Sequence, residues 1–351
     1  MRSLGHAVAG ALASAALVAF GCGGEESRPP VVPPITLRPV ARPEAVREPV
    51  DASVGVVTHD DAAPPAPAPK PALPAPTFGA TEPSKPGDAH AFRLAASLRS
   101  MRATRSGAKI LKLLSVVPEV IDARGKTGVD PFADGEWLLV YGASVRIPGA
   151  NANVVKHVRS EAELTRANVD AGAVASDAGP GAVHAEIYGV RDVLLRPQVG
   201  VLALVPADRA ADLAVALSGG LDPGTRSGEL ARIFLAEPAK VARSLPADVV
   251  RATVIVKPAS DGGLDLTAEA DCPDAASCKA TAIMLDALAQ KQNSLMVRIV
   301  TKNLLGNLTL RADAAKLKAS LHAAPDQVDT LLNLTRAQLG LPGEDASDAR
   351  H

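Results

Sequence analysis

Three patterns of apolar and polar residues follow one another along the chain. The first is short: Ala7 to Phe20 (AVAGALASAALVAF) is an unbroken uncharged run of 14 residues behind Arg2. That is the length of an export-leader core and falls short of the roughly 20 apolar residues a membrane-spanning helix needs. The second pattern has no apolar period. Between Pro29 and Pro86 lie 16 of the chain's 29 prolines, interleaved with alanine, which buries little area. Proline removes backbone donors and fixes φ, so residues 22–88 are expected to form a solvated tether biased to polyproline II, with a coil span of about 45 Å. The third pattern, periodic and apolar, runs from about residue 89 to residue 342. Residues 343–351 read as a frayed tail.

Within the periodic region, Phe92, Leu94, Leu98 and Met101, then Ile110, Leu111, Leu114 and Val117, sit at helical spacings. Pro118 is expected to end or kink that helix. Trp137 to Ala143 and Val154 to Val158 have strand composition. Ser160 with Glu163 three residues on forms a capping box that opens a helix through about Ala167, and residues 169–181 read as a loop. Strands at His184 to Tyr188, Val190 to Leu195 and Val199 to Val205 lead to a helix over 207–217. Leu230 to Leu235 is another strand, followed by a short helix at 239–244. A second round then opens with a hairpin, Val249 to Val256 and Leu264 to Ala270, around Ser260-Asp-Gly-Gly263. A helix over 275–292, with Ile283, Met284, Ala287 and Leu288 as its apolar face, is followed by strands at 295–300 and 308–311 and helices at 314–323 and 326–339.

Hairpins with intervening helices point to an α+β fold of antiparallel hairpins. Both rounds run strand, strand, helix, further strand, helix, as a diverged duplication would, with one half at 89–246 and the other at 247–342. Net charge is −1, so the strong positive field that drives nucleic-acid binding is missing and no nucleic-acid partner is expected. Aromatic residues make up 2% of the chain, which argues against a stacking platform for sugars or bases. Trp137 is read as a core residue.

The leader ends Leu17-Val18-Ala19-Phe20-Gly21-Cys22, with small residues at −3 and −1 of the bond before a cysteine. This resembles the lipobox of bacterial lipoproteins, in which that cysteine is diacylated before residues 1–21 are removed. Leucine is commonest in that family where Ala19 stands, and ordinary secretion with cleavage at the same bond is the alternative. The resemblance implies a lipid anchor at Cys22 and a place in the cell envelope. Gly23, in place of the aspartate that retains such proteins at the inner membrane of enteric bacteria, favours the outer membrane. Only Cys22, Cys272 and Cys278 exist. With Cys22 acylated, Cys272 and Cys278 remain to close a short disulfide loop between a strand end and the first turn of a helix. A redox pair or metal site is the sharper alternative, against which stand the spacing, which is not C-x-x-C, and the lack of a nearby histidine.

Motifs for chemistry do not hold up under inspection. Gly125-Lys126-Thr127 has Val120 where a P-loop needs glycine, and Gly142-Ala-Ser144-Val-Arg146 lacks the last glycine of a nucleophile elbow. Asp130, Asp134 and Glu136 lack the ligand alternation of a calcium loop and read as cap or turn residues. His157 and His184, with Glu186 or Asp192, are the only candidates for an acid/base group. No cofactor, metal or catalytic residue is therefore expected. The basic set Arg93, Arg99, Arg102, Arg105, Lys109 and Lys112, with no acid among its neighbours, offers contact to anionic lipid or an acidic partner if it lies on an amphipathic helix. A solvated helix face is the plainer reading. Three functions remain open: non-catalytic binding or scaffolding of an envelope protein or surface component, an enzyme whose site is assembled from distant residues, and a spacer or membrane-contact element.

Overall fold

The computed structural model describes residues 92–142, 151–187, 189–218, 224–236, 238–241 and 248–341, all within one compact unit. The leader, Cys22, the tether and the 343–351 tail lie outside the described residues.

The first surprise is at the start. Phe92–Ala96 forms a strand, β1, not the opening of a helix, and all five residues are buried. A strand flanked by neighbours and covered on both faces shows no polar alternation, so its sequence carries no period of two. Helices α1 (Leu98–Arg102), α2 (Arg105–Ser115), α3 (Pro118–Thr127) and α4 (Pro131–Asp134) follow. Pro118 starts α3, where its missing N–H costs nothing. Gly128 ends it at φ 73°, and a Cβ there would stand 2.4 Å from that of Ala167.

The first half continues with β2 (Gly135–Gly142), β3 (Asn151–His157), α5 (Glu161–Asp170), β4 (Val174–Ala175), β5 (Val183–Ile187), β6 (Val190–Gln198), β7 (Val201–Pro206) and α6 (Ala210–Ser218). The capping box that starts α5 is formed by Ser160 and Glu163, as their spacing requires. The rest comprises β8 (Ala231–Leu235), α7 (Pro238–Val241), β9 (Arg251–Pro258), β10 (Leu264–Asp271), α8 (Ala275–Gln292), α9 (Leu295–Val300), β11 (Thr309–Asp313), β12 (Lys316–Ala323) and α10 (Pro325–Gln338).

Two further elements reverse their expected type. Leu295–Val300 is a helix whose N-cap, Ser294, accepts a hydrogen bond from the Val297 N–H. Its β-branched composition favoured a strand, and the cap decides otherwise. Lys316–Ala323 is a strand, although its Ala/Lys content has high helix propensity. Leu317 and Leu321 turn inward while Lys316, Lys318 and His322 face out, and pairing along the whole length of β10 overrides the propensity.

All strands join one antiparallel sheet in the order β11-β12-β10-β9-β8-β1-β2-β3-β7-β6-β5-β4. Ten of the strands are ordered symmetrically about the β1–β8 pair, and β5 and β4 extend one edge. Outward on one side come β2, β3, β7, β6, and on the other β9, β10, β12, β11. Each side is a hairpin, a helix (α5 or α8), and a returning hairpin whose last strand pairs with the first hairpin. This is the connectivity a duplication leaves. The two matching series of strands start at β1 and β8, and β8 pairs with β9.

One face of the sheet is covered along both halves. Leu94, Leu138, Val140, Val155, Ile233, Val254, Leu266 and Leu321 pack there with Leu98, Met101, Leu111 and Leu114 of α1 and α2, Leu164 of α5 and Val328 of α10. The Cys278–Leu285 side of α8 packs on Ala252, Ala270 and Leu317 of the same face. The apolar face expected for α8 is thus misplaced: Cys278, Thr281, Leu285 and Ala289 are buried, while Ile283 and Met284 are exposed. On the opposite face the halves differ. Over the first half, Leu213 and Leu217 of α6 cover Leu139, Tyr141, Val154, Val193 and Val205. Over the second half, no helix among the described residues does the same, because its last helix, α10, crosses to the other face and packs beside α2.

Candidate functional site

The bare half-face is a concavity of about 730 Å³. Register builds it. Arg251, Thr253 and Ile255 of β9 lie opposite Asp271, Glu269 and Thr267 of β10, which lie opposite Lys316, Lys318 and Ser320 of β12. Thr309 and Arg311 of β11 extend the rows past Ser320 and Lys318, and Arg232 and Phe234 of β8 close the other side, with Arg226 at the rim. The same alternation that sends Val254, Leu266 and Leu321 into the core sends these polar side chains out.

Most of the charges are cross-linked. Arg251 pairs with Asp271 and Lys316 with Glu269, and Lys318 lies 2.8 Å from Asp313. Hydrogen bonding to Glu269 holds the Lys316 ammonium above the usual lysine range, and Asp313 does the same for Lys318. Buried Arg232 grips Glu229 through Nε at 3.1 Å and a second nitrogen at 2.6 Å. Burial pushes the Glu229 carboxyl up. The hydrogen bonds from Arg232 and the Arg226 backbone, with both guanidinium charges, outweigh it and leave the group below the usual carboxylate range. Arg311 has no carboxylate partner among the described residues. Six cations (Arg226, Arg232, Arg251, Arg311, Lys316 and Lys318) therefore line the concavity beside two carboxylates, Glu269 and Asp271. The hydroxyls of Thr253, Thr267, Thr309 and Ser320 stand among them. The arrangement presents charged donors in rows to an anionic surface.

The residues singled out in the sequence are distributed differently. Arg93 lies on β1, buried and facing Tyr141 and Phe234 across the sheet, so the continuous basic helix does not exist. Arg102 donates to the Phe132 carbonyl at 2.8 Å, and Lys109 pairs with Asp329 of α10. Arg99 and Arg102 belong to α1, and Arg105, Lys109 and Lys112 to α2. The set therefore splits over three elements, two of its members being occupied in holding α1 to α4 and α2 to α10.

His157 and His184 do not meet. They point to opposite faces, with β7 and β6 between their strands. Asp192 shares His157's face but lies at the far end of β7, opposite Pro206, whereas His157 sits beside Gly200. Both are buried. Burial raises the Asp192 carboxyl to about 7 and lowers the His157 imidazole below its ordinary value. Neither ring nitrogen of His157 has a hydrogen-bond partner among the described residues. His157 is buried at the end of β3, opposite Gly135.

Asp130 caps α4, accepting hydrogen bonds from the Phe132 and Ala133 N–H groups. Among the described residues no group of three His, Cys, Asp or Glu is arranged to hold a metal. Trp137 packs against the core under α6. Cys272 and Cys278 form a disulfide, with Cα atoms 5.4 Å apart, that ties the end of β10 to the first turn of α8.

Sequence reading missed the concavity. Its signal was present as period-two polar residues at 251–255 and 316–320, but the helix expected over 314–323 concealed the second row.

No family model matches the chain, and no curated protein is significantly similar to it. One solved structure, described as crystal form I of TP0453, aligns with a TM-score of 0.36 at 6% identity, covering 71% of this chain and 95% of that one. A likeness of that degree assigns neither fold nor function.

Proposed function

We propose that the chain is a lipid-anchored protein of the cell envelope, held through Cys22, that binds an acidic protein or surface component without catalysing a reaction. The observation that carries this reading is the bare half-face of the sheet. Its rows of arginine, lysine and hydroxyl side chains are held in register by backbone pairing, so little ordering entropy is lost when a ligand docks. The anchor is supported by the leader sequence that ends at Cys22. No described helix is long and apolar enough to cross a membrane, and Gly23 favours the outer membrane. The tether supplies reach, letting the domain search a volume around its anchor at high effective concentration.

The test is in-cell photocrosslinking of the full-length chain with the crosslinker at Thr267, in the centre of the face, and at Val174, on the far edge, as the control. A partner captured from Thr267 but not Val174, and lost when Arg311 and Lys318 become glutamate, supports the reading. Equal capture from both positions overturns it. Palmitate incorporation that persists in Cys22→Ser contradicts acylation at Cys22.

A further inference from the structure

Helix α9 exposes an apolar face that nothing described covers. Leu295 and Met296 are each 72% exposed, Ile299 is 65% exposed and Val300 42%, and no α9 residue is buried. At about 100° per residue these four side chains span an arc of about 140°, one face of the helix. A six-residue helix that buries nothing draws no stability from packing and is too short to stand alone in water. Yet this one is firmly mounted. Ser294 caps its start, the Thr301 hydroxyl donates to the Val297 carbonyl at 2.7 Å, and buried Leu304 and Leu305 fix the chain that leaves it. Gln327 of α10 donates to the Lys302 carbonyl at 2.8 Å. The fold therefore holds the apolar face outward.

The surrounding charge narrows the occupant. From Ala287 to Leu310 the chain has no aspartate or glutamate, while Lys291, Arg298 and Lys302 fall in that span, Lys302 standing 3.0 Å from Asp326 of α10. A second copy of the same surface would be repelled. Protein interfaces are dominated by buried aromatic and arginine anchors, and the exposed face holds only aliphatic side chains and methionine. An aliphatic face within a cationic collar is the composition of a helix lying in the headgroup region of an anionic bilayer.

We infer that α9 is a membrane-contact element that seats the folded domain on anionic lipid. This contact is separate from the sheet concavity, and it does not require the acyl chain. The membrane-contact role considered for residues 92–117 thus moves to a segment read as a strand.

The experiment is vesicle flotation of the whole chain after the leader, carrying Cys22→Ser so that no acyl group contributes. Vesicles are phosphatidylglycerol mixed equally with phosphatidylcholine, or phosphatidylcholine alone. Flotation with the anionic vesicles is expected, together with a loss of at least about ten-fold in Leu295→Ser/Met296→Ser/Ile299→Ser. The circular dichroism and unfolding midpoint of that variant should be unchanged, because the three side chains pack on nothing. Arg298→Glu should weaken flotation on the anionic vesicles, and the difference from the parent should shrink as salt is raised. The inference is overturned if the parent does not float, if the triple variant floats equally well, or if the parent forms dimers that the triple variant abolishes. Arg311→Glu/Lys318→Glu distinguishes the two surfaces. It should leave flotation intact, and loss of flotation there would assign the lipid contact to the sheet face and overturn both readings.

Discussion

The two halves of the sheet share a connectivity and differ in how they treat one face. In the first half, α6 lies across the face and its strands carry Leu139, Tyr141, Val154 and Val205 there. In the second half the corresponding positions are Arg251, Thr253, Glu269 and Lys318, and the corresponding helix, α10, has gone to the other side. The comparison shows that covering a sheet and patterning it are one decision. A face without a helix must be polar to stay soluble, and a polar face held in register by antiparallel pairing becomes a surface able to bind.

The comparison can be broken at the seam. Arg232→Ala leaves Glu229 buried with its main partner gone, and should cost about 3–5 kcal/mol in urea unfolding. Arg232→Met with Glu229→Gln should recover a large part of it. If Arg232→Ala is nearly neutral, the seam is wetter than described and the two halves differ less than the packing implies.

The next effect is on the covered face. Leu217→Ala, at a fully buried site of α6, should destabilise by about 3 kcal/mol through lost transfer energy and a cavity. A similar cost from Thr253→Ala on the bare half would remove the distinction.

A third difference appears with pH, because Asp192 of the covered half is buried and titrates near 7. Its folded pKa lies above the unfolded value, so it is neutral in both states below about pH 4. As pH rises the unfolded state ionises first, and the penalty on the folded state grows until about pH 7 and then levels off. Asp192→Asn should therefore stabilise the protein at pH 5.5 relative to pH 4 by roughly 2 kcal/mol, by denaturant titration at the two pH values. His157 acts in the other direction. Burial depresses its pKa, so stability it permits at neutral pH is lost as pH falls through the ordinary histidine range.

The smallest effect belongs to the exposed pairs. Lys318→Ala should leave the unfolding midpoint unchanged, since the Lys318–Asp313 pair is open to water, while weakening whatever is captured from Thr267.

The sequence made some of this legible for reasons that are local. The Ser160–Glu163 box and the alternation Leu264-Leu266-Ala270 against Asp265-Thr267-Glu269 each depend on a few neighbouring residues, and so does the span of α8. Other elements were hidden because their type is decided at a distance. Phe92–Ala96 is buried from both sides, so it has no alternation to read. Lys316–Ala323 reads as helix by propensity until β10 lies beside it. Leu295–Val300 has strand composition and no strand to pair with. The concavity needs five strands in register before its charges become neighbours, so its residues were visible singly and its existence was not. Cys272 and Cys278 were the exception, a short-range pair for which counting cysteines was enough to suggest a bond.

The central pairing also governs how the protein must fold. β1 is the first described strand and sits in the middle of the sheet, its partner β8 arriving only after the whole first half has been made: Phe92 meets Leu235 and Ala96 meets Ala231. Until then, one edge of β1, apolar and without charge except Arg93, stands open. Contacts of such separation make folding slow, and an open apolar edge is a template for pairing with another chain. A chain whose first half has folded before β8 is available carries that edge unpaired. The species most in need of protection in this protein is therefore the first half without β8, and truncation between α6 and β8 is the lesion expected to aggregate most readily.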